Sequence, residues 1–382
     1  MKLISSTSEL EVFCDKLASK PFVTVDTEFI RETTYWPQLC LIQAANSDIS
    51  GMIDPLAEGI DLKPFIDLLT NKNVLKVMHG CRQDIEIFFN IAGIIPDPLF
   101  DTQVAAMACG FGDAVSYENL IKKTVGAKID KGSRFTDWAR RPLNDAQLSY
   151  ALADVTHLRD AYTYLIAEID KNDRMHWVKE EMQIILDPET YAQRPETAWK
   201  RLRMQDPRPR VLGVLVEISA WREIQAKERN TPRNRIMKDD ALREIALQAP
   251  TDKTALTRLR AVPKGFENSR HADGLLEAIH KGLNLDPKLL PKLPPQTINK
   301  PGIGPLIDLL KVLLKQRCED CNVAPKLVAS VADLERIASD DEPDVPALTG
   351  WRLDVFGRYA LDLKVGKLAM ACEDEKVVLI SR

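Results

Sequence analysis

The chain reads as an α/β domain with a mixed sheet followed by two all-helical units. Three observations predict this. Strand patterns fill much of the first hundred residues and then give way to helices, the order expected of a mixed sheet with helices packed on it. Two proline-rich stretches, RPETAWKRLRMQDPRPRV and PKLLPKLPPQTINKPGIGP, interrupt the chain and read as linkers. Charge is unevenly spread: residues 1–190 carry a net −10, 191–300 a net +9 and 301–382 a net −3. The expected units are therefore 1–190, a linker at 191–207, a helical unit at 208–288, a proline-rich linker at 289–301 and a second helical unit at 302–375.

The elements follow in order. Ser8 and Glu11 fit a capping box ahead of LEVFCDKLA, an amphipathic helix. PFVTVDTEF, QLCLIQAA and SGMIDP alternate or run apolar as strands do, and VLKVMHG is a further strand ending at Gly80. RQDIEIFFNIAG reads as a helix stopped by Gly93. After the turn-rich IIPDPLFD a helix begins near Thr102, with Asp101 as its N-cap. A long helical pattern runs from Asp145 to Ile169. Beyond 208 only helical patterns are expected.

Composition bounds the function. The 382 residues are 45% apolar and 28% charged, which suits a globular chain of two or three domains. No run of 18 apolar residues occurs, and MKLISSTSELE lacks the pattern of a secretory signal, so a cytoplasmic protein without membrane spans is expected. Seven scattered cysteines fit free thiols better than a disulfide framework. Cys318 and Cys321 form a lone CxxC inside a helical pattern, without the second ligand pair that a structural zinc site needs. The acidic front suits cations and the basic middle suits phosphates, although solvated faces give the same counts.

Four pieces of the front unit carry chemistry. Asp26 and Glu28 stand two apart on a strand, so their carboxylates project to one side. Asp84 opens the helix after VLKVMHG, where an acid also simply favours the helix dipole. Tyr150 and Asp154 lie four apart and share one helix face. Around them stand Leu148, Ala151, Leu152 and Val155, and a carboxylate in such company is costly unless paired or metal-bound.

Taken together, D-x-E on a first strand, a second Asp after a later strand and Y-x-x-x-D on a late helix resemble the DEDD exonuclease superfamily, in its tyrosine branch. The strings YWPQLCLIQ, FDTQVAA and WARRPLNDAQLSYALADV narrow the resemblance to the ribonuclease D family. ISAWREIQAKERNTPRNRIMKDDALREIA is similar to an HRDC module, and LTGWRLDVFGRYALDLKVGKLAM to a more divergent second one. The resemblance implies a ribonuclease-H-like exonuclease domain followed by two HRDC-type helical domains. It implies 3′→5′ removal of 5′-mononucleotides from RNA, with tRNA precursors as substrate class. It also implies two divalent ions, Mg²⁺ or Mn²⁺, since hard oxygen ligands converging from several elements suit a two-metal site. Asp26 would bridge both ions, Glu28 and Asp154 would complete the one that activates water, Asp84 would support the other, and Tyr150 would hold the attacking water.

Lesser candidates surround this set. His79 is placed to touch substrate or to pack, and Gln43 to reach the terminal nucleotide or simply to end a strand. Phe29 and Trp36 suit base stacking or the core. Lys131, Arg134, Arg140 and Arg141 flank the long helix and suit phosphates. In the helical unit Trp221 is expected in the core, with Arg229, Arg233, Arg235 and Lys238 facing phosphate from an exposed loop. Since every proposed metal ligand precedes residue 160, the front unit is expected to cut short strands without the rest. Two rival readings stay open: a DNA 3′→5′ exonuclease with the same metal site, and a non-catalytic RNA-binding scaffold. The intact acidic set disfavours the second.

Overall fold

The structure is a computed structural model describing residues 3–382 except Lys131, Arg134, Phe135, Gln205, Asp206 and 294–300. Its sheet is made of β1 (Leu3–Ile4), β2 (Phe22–Ile30), β3 (Gln38–Ala45), β4 (Ser50–Ile53), β5 (Leu75–Met78) and β6 (Leu99–Asp101). The strands lie in the order β1-β4-β3-β2-β5-β6. β2 with β3 and β3 with β4 are antiparallel, whereas β1 with β4, β2 with β5 and β5 with β6 are parallel. The mixed sheet expected from the sequence is present. The two-residue β1 and three-residue β6 are too short to show a periodicity.

Among the described residues seven helices accompany the sheet: α1 (Thr7–Ala18), α2 (Lys63–Thr70), α3 (Arg82–Ala92), α4 (Thr102–Ala108), α5 (Tyr117–Thr124), α6 (Asp145–Lys171) and α7 (Met175–Ile185). The cap of α1 is Ser6 with Glu9, not Ser8 with Glu11, because Ser8 already lies inside the first turn. One sheet face buries Val23 and Val25 among Leu10, Leu17, Phe65, Ile85 and Phe88. The opposite face receives α6, which starts at an Asn144–Gln147 capping box. There the Thr24 hydroxyl donates to the Val155 carbonyl at 2.8 Å, fixing β2 against the helix.

The first helical unit holds α8 (Pro209–Glu228), α9 (Arg233–Ile236), α10 (Asp239–Gln248), α11 (Lys253–Leu256) and α12 (Ala272–Leu283). α8 and α12 meet backbone to backbone: a Cβ on Gly213 would sit 2.5 Å from the Gly282 carbonyl oxygen, so no larger residue fits without moving a helix. The stretch expected as a linker differs in part. Residues Pro195–Leu202 form a 3₁₀ helix whose Trp199 and Leu202 are buried in the core of this helical unit, and Tyr191 is buried with the sheet's core. Apolar side chains within an arginine-rich segment produce this packing, and the prolines disguise it. Trp221 is only half-buried, at the rim of that core.

The second unit holds α13 (Gly304–Asp320), α14 (Pro325–Val328), α15 (Val331–Ser339), α16 (Gly350–Arg352) and α17 (Arg358–Lys364), with a π turn at Leu353–Gly357. It is not all-helical. β7 (Leu368–Glu373) and β8 (Lys376–Ser381) form an antiparallel hairpin, closed by Asp374 and Glu375 at φ 47° and 64°. Two positive-φ residues make the tight turn that matches strand twist, and Val377, Val378 and Ile380 favour extended backbone.

This second unit shares a core with the sheet domain. Leu310, Leu313, Leu327, Trp351 and Phe356 cluster with Ala105, Leu165, Val178 and Met182. Trp351 stacks on Trp177 with ring centroids 4.2 Å apart. The Arg174 guanidinium donates to the carbonyls of Ala108 (2.6 Å), Asn322 (2.8 Å) and Cys321. Cys318 is buried in the same core and Cys321 closes α13; among the described residues no metal-ligating cluster includes either.

The first helical unit is fastened to the sheet domain by polar contacts. Asn230 Oδ1 accepts from the backbone N–H groups of Tyr35 (3.1 Å) and Trp36 (3.0 Å). Glu223, 1% exposed, accepts from Arg233 Nε at 2.6 Å, from Arg201 at 3.2 Å and from the Tyr35 hydroxyl. Burial alone would raise the Glu223 pKa, but hydrogen bonds from Arg233 and Tyr35, with the arginine charges, hold it below the usual glutamate value. A depressed folded pKa contributes stability above the unfolded value of about 4.3, lost as pH falls through the folded one. Glu223→Gln is therefore expected to lower the Tm at pH 7 and to flatten the acid limb of a Tm-against-pH profile. An unchanged acid limb would remove Glu223 from the junction's energetics.

Candidate active site

β2 emerges from the sheet with Asp26 and Glu28 on the face that α6 covers. α6 supplies Asp154 to the same point, and carboxylate oxygens of Asp26, Glu28 and Asp154 lie within 4.8 Å of one another. Tyr150, one helical turn before Asp154, borders the same cleft. Asp84 enters from the first turn of α3 and is 7% exposed. It stands outside the close triad and accepts a hydrogen bond from the Thr27 hydroxyl. The turn that delivers Asp84 is set by Asp101, which caps α4 through Gln103 N–H (2.7 Å) and accepts from the N–H groups of Gly80 (2.9 Å) and Cys81 (3.0 Å). Gly80 turns there at φ 62°, a conformation a side chain disfavours.

The cleft measures about 620 Å³ and opens over these acids. Burial raises the Asp26 pKa well above the usual carboxylate range, and the Asp154 charge raises it further. Burial does the same to Asp84, with the Asp26 charge adding to it. Acids crowded this way repel one another when ionised, and a divalent cation relieves that repulsion with hard oxygen ligands. The donor set thus fits Mg²⁺ or Mn²⁺. Burial, then the charges of Asp154, Glu28 and Asp26, also push the Tyr150 phenol far up, so it stays protonated through neutral pH. A protonated phenol orients a water by hydrogen bonding rather than acting as the base.

The lesser candidates divide. Phe29 and His79 line the cleft. His79 is committed on both ring nitrogens, to Thr102 Oγ1 (2.9 Å) and the Val115 carbonyl (3.2 Å). Gln43 lies in the sheet behind Asp26, fully buried, and is not part of the cleft wall. Trp36 sits at the junction with the helical unit, under the Lys227 ammonium. Arg140 is exposed, but Arg141 is not placed for phosphate: it grips Asp54 with two bonds of 2.8 and 2.7 Å and donates to the Cys40 and Trp138 carbonyls. Arg233 is likewise committed, to Glu223, Tyr35 and Gln193. In both cases the partner carboxylate is distant in sequence or indistinguishable from a solvated acid. Arg229 leans on Gln225, whereas Arg235 and Lys238 are exposed. Lys131 and Arg134 lie outside the described residues.

Two residues of the site escaped the sequence reading. Thr27 bonds Asp84, and its only signal was its place between two acids. The Tyr117 hydroxyl donates to the Asp154 carbonyl at 2.6 Å, holding α6 where its carboxylate meets β2, and no local pattern announces this.

Carboxylates from a central strand and a crossing helix, with a tyrosine one turn away, place the chain among the 3′-5′ exonucleases. Residues 1–170 match the 3′-5′ exonuclease family, and residues 211–279 match the HRDC domain. The chain is 51% identical to ribonuclease D of Nitrobacter hamburgensis over 382 residues, covering 100% of both chains. It is 47% identical to ribonuclease D of Bartonella henselae, covering 99% of this chain and 93% of that one. Its fold superposes on Escherichia coli RNase D, described as an exoribonuclease involved in structured RNA processing, with a TM-score of 0.83 at 27% identity, covering 96% and 98% of the two chains. The chain belongs to the ribonuclease D family. No helix among the described residues is long and apolar enough to cross a membrane.

Proposed function

We infer that this protein is a metal-dependent 3′→5′ exoribonuclease that releases 5′-mononucleotides, acting on structured RNA 3′ ends such as tRNA precursors. The observation that carries this reading is the convergence of Asp26, Glu28 and Asp154 within 4.8 Å, at the mouth of a cleft bordered by Tyr150. Asp26, Glu28, Asp84 and Asp154 would hold two divalent cations. Such ions, when bound, activate a water and neutralise charge developing on the leaving 3′ oxygen. Thr27 orients Asp84, and Tyr117 fixes the turn of α6 that presents Asp154. Tyr150 aligns the attacking water through its hydroxyl. Seven free cysteines suit a reducing compartment, and the cytoplasm is the proposed place of action.

Matched RNA and DNA oligonucleotides, blocked or free at the 3′ end, test this reading. Mononucleotide release from free RNA 3′ ends, with Mg²⁺ and not with EDTA, is the expected result. Equal cleavage of DNA would shift the assignment to a general exonuclease. Binding without cleavage would make the protein a scaffold.

Tyr150→Phe tests the water-aligning role. kcat is expected to fall at least tenfold, about 1.4 kcal/mol of transition-state stabilisation, with substrate affinity nearly unchanged. Wild-type kcat in this variant would leave the ring a packing role only.

The proposed units are 1–190, 208–288 and 302–375, with the basic middle one gripping the RNA body. Arg235 and Lys238 are exposed cations of that unit, close in sequence to the junction residue Arg233. Replacing both by alanine is expected to weaken binding of folded RNA and to reduce the salt slope by about 0.7–0.9 per lost phosphate contact. An unchanged slope would place the RNA elsewhere.

A further inference from the structure

Gln43 is fully buried, yet neither its Nε2 nor its Oε1 has a hydrogen-bond partner. Buried amides almost always find partners, so a glutamine in this state calls for a physical account. Its position supplies one. Gln43 pairs with Asp26 across the antiparallel β2–β3 ladder, and with Met52 on its other side. Directly opposed residues point to the same sheet face, with Cβ atoms about 4.5–5.5 Å apart. That face is the one α6 covers: Leu41, two residues before Gln43, packs with Ala151 of α6, and Thr24, two before Asp26, bonds the Val155 carbonyl.

The other neighbours of Gln43 in register and along the strand, Met52, Leu41 and Ala45, are all apolar and fully buried. The Thr24 hydroxyl is already committed to the carbonyls of Ala45 and Val155. Among its sheet neighbours the one ionic group is the Asp26 carboxylate, which gathers with Asp154 of α6. A carboxylate has about four lone-pair sites, more than cations take up, and the remainder accept from outer donors that fix its orientation.

We propose that Gln43 is a positioning residue: its amide, unpartnered and opposite Asp26 in register, is the donor available to the Asp26 carboxylate once cations draw it toward Asp154, and it would then hold the pair in the orientation that accepts them. This rests on the metal site proposed above. Gln43 touches neither substrate nor reacting water. It sets how well the carboxylates bind metal, and turnover follows from that.

Gln43→Leu removes the amide at similar volume. Mn²⁺ affinity, read as free Mn²⁺ by electron paramagnetic resonance, is expected to weaken about tenfold, the lower end for losing an outer partner of a ligand. The Mn²⁺ concentration giving half-maximal exoribonuclease activity should rise by the same factor, while kcat at saturating Mn²⁺ stays near wild type. The metal-free Tm should hold or rise, since an unsatisfied buried amide has gone. A purely structural glutamine would lower the Tm on replacement and leave Mn²⁺ affinity alone. Should Gln43→Leu fail to fold, Gln43→Met gives the same readouts with a more adaptable side chain. In the unaltered protein, the assigned Gln43 side-chain amide resonances should shift on titration with Mg²⁺. Folded variants with wild-type Mn²⁺ affinity, or amide resonances insensitive to Mg²⁺, would overturn the proposal. Wild-type protein that binds no Mn²⁺ at all would remove the metal centre itself, a separate and recognisable result.

Discussion

Replacing Asp26 by asparagine is expected to reduce kcat at least a thousandfold, about 4 kcal/mol of transition-state stabilisation. The substitution keeps the side chain's shape and removes one charge from a group of three carboxylates within 4.8 Å. It therefore lowers cation affinity while easing repulsion in the metal-free fold. Metal-free stability should hold or rise, which separates a lost ligand from a damaged scaffold. Asp154→Asn should behave alike, and the double variant should be little worse than either single one, because the ligands act as one unit. Single-turnover release of 5′-mononucleotide at several Mg²⁺ concentrations measures this. A variant with more than a tenth of wild-type kcat at saturating Mg²⁺ would end Asp26's role as a shared ligand.

Removing residues 302–382 is expected to cost the catalytic part its stability, and most of its activity with it. The charge pattern suggests a separable front unit, but the packing denies it. Without this segment Trp177 loses its stack on Trp351, and Ala105, Leu165, Val178 and Met182 lose the apolar side chains that complete their core. Each large buried side chain contributes about 1.5–3 kcal/mol, so the loss approaches a typical domain's whole stability of about 5–15 kcal/mol. Calorimetry should show residues 1–301 melting at least 10 °C lower, roughly the effect of losing a few kcal/mol, or failing to accumulate in soluble form. The single change Trp351→Ala should reproduce about 3–5 kcal/mol of it. A truncated chain that melts near the full-length temperature and cuts short RNA at full rate would show that the shared core contributes little.

What the sequence discloses about the site depends on the range of the pattern. Asp26 with Glu28 follows from strand alternation, and Tyr150 with Asp154 from helical spacing; both need only a few consecutive residues. The sheet strands of ordinary length and the capped helices α3, α4 and α6 are legible for the same reason. Partners brought from afar are not. Thr27 meets Asp84 across 57 residues, and Arg233 meets Tyr35 across 198. Nothing near Arg141 or Arg233 marks Asp54 or Glu223 as their carboxylates, so both arginines read as free cations. Helical patterns dominate the last third, and the β7–β8 hairpin hides there because its turn is Asp-Glu, without the glycine that usually signals one.

The shared core also has a timing. Its members run from Val77 in β5 to Leu368 in β7, with the first helical unit in between. During synthesis the proposed metal-ligand set is complete once Asp154 has emerged, but the packing that steadies α6 and α7 waits for the last part of the chain. At about 5–20 residues per second, that interval lasts roughly 10–40 seconds. Over that time the nascent nuclease has its acids but not its finished support, and a ribosome stalled late in the message would leave a chain with exposed apolar helix faces rather than a working enzyme.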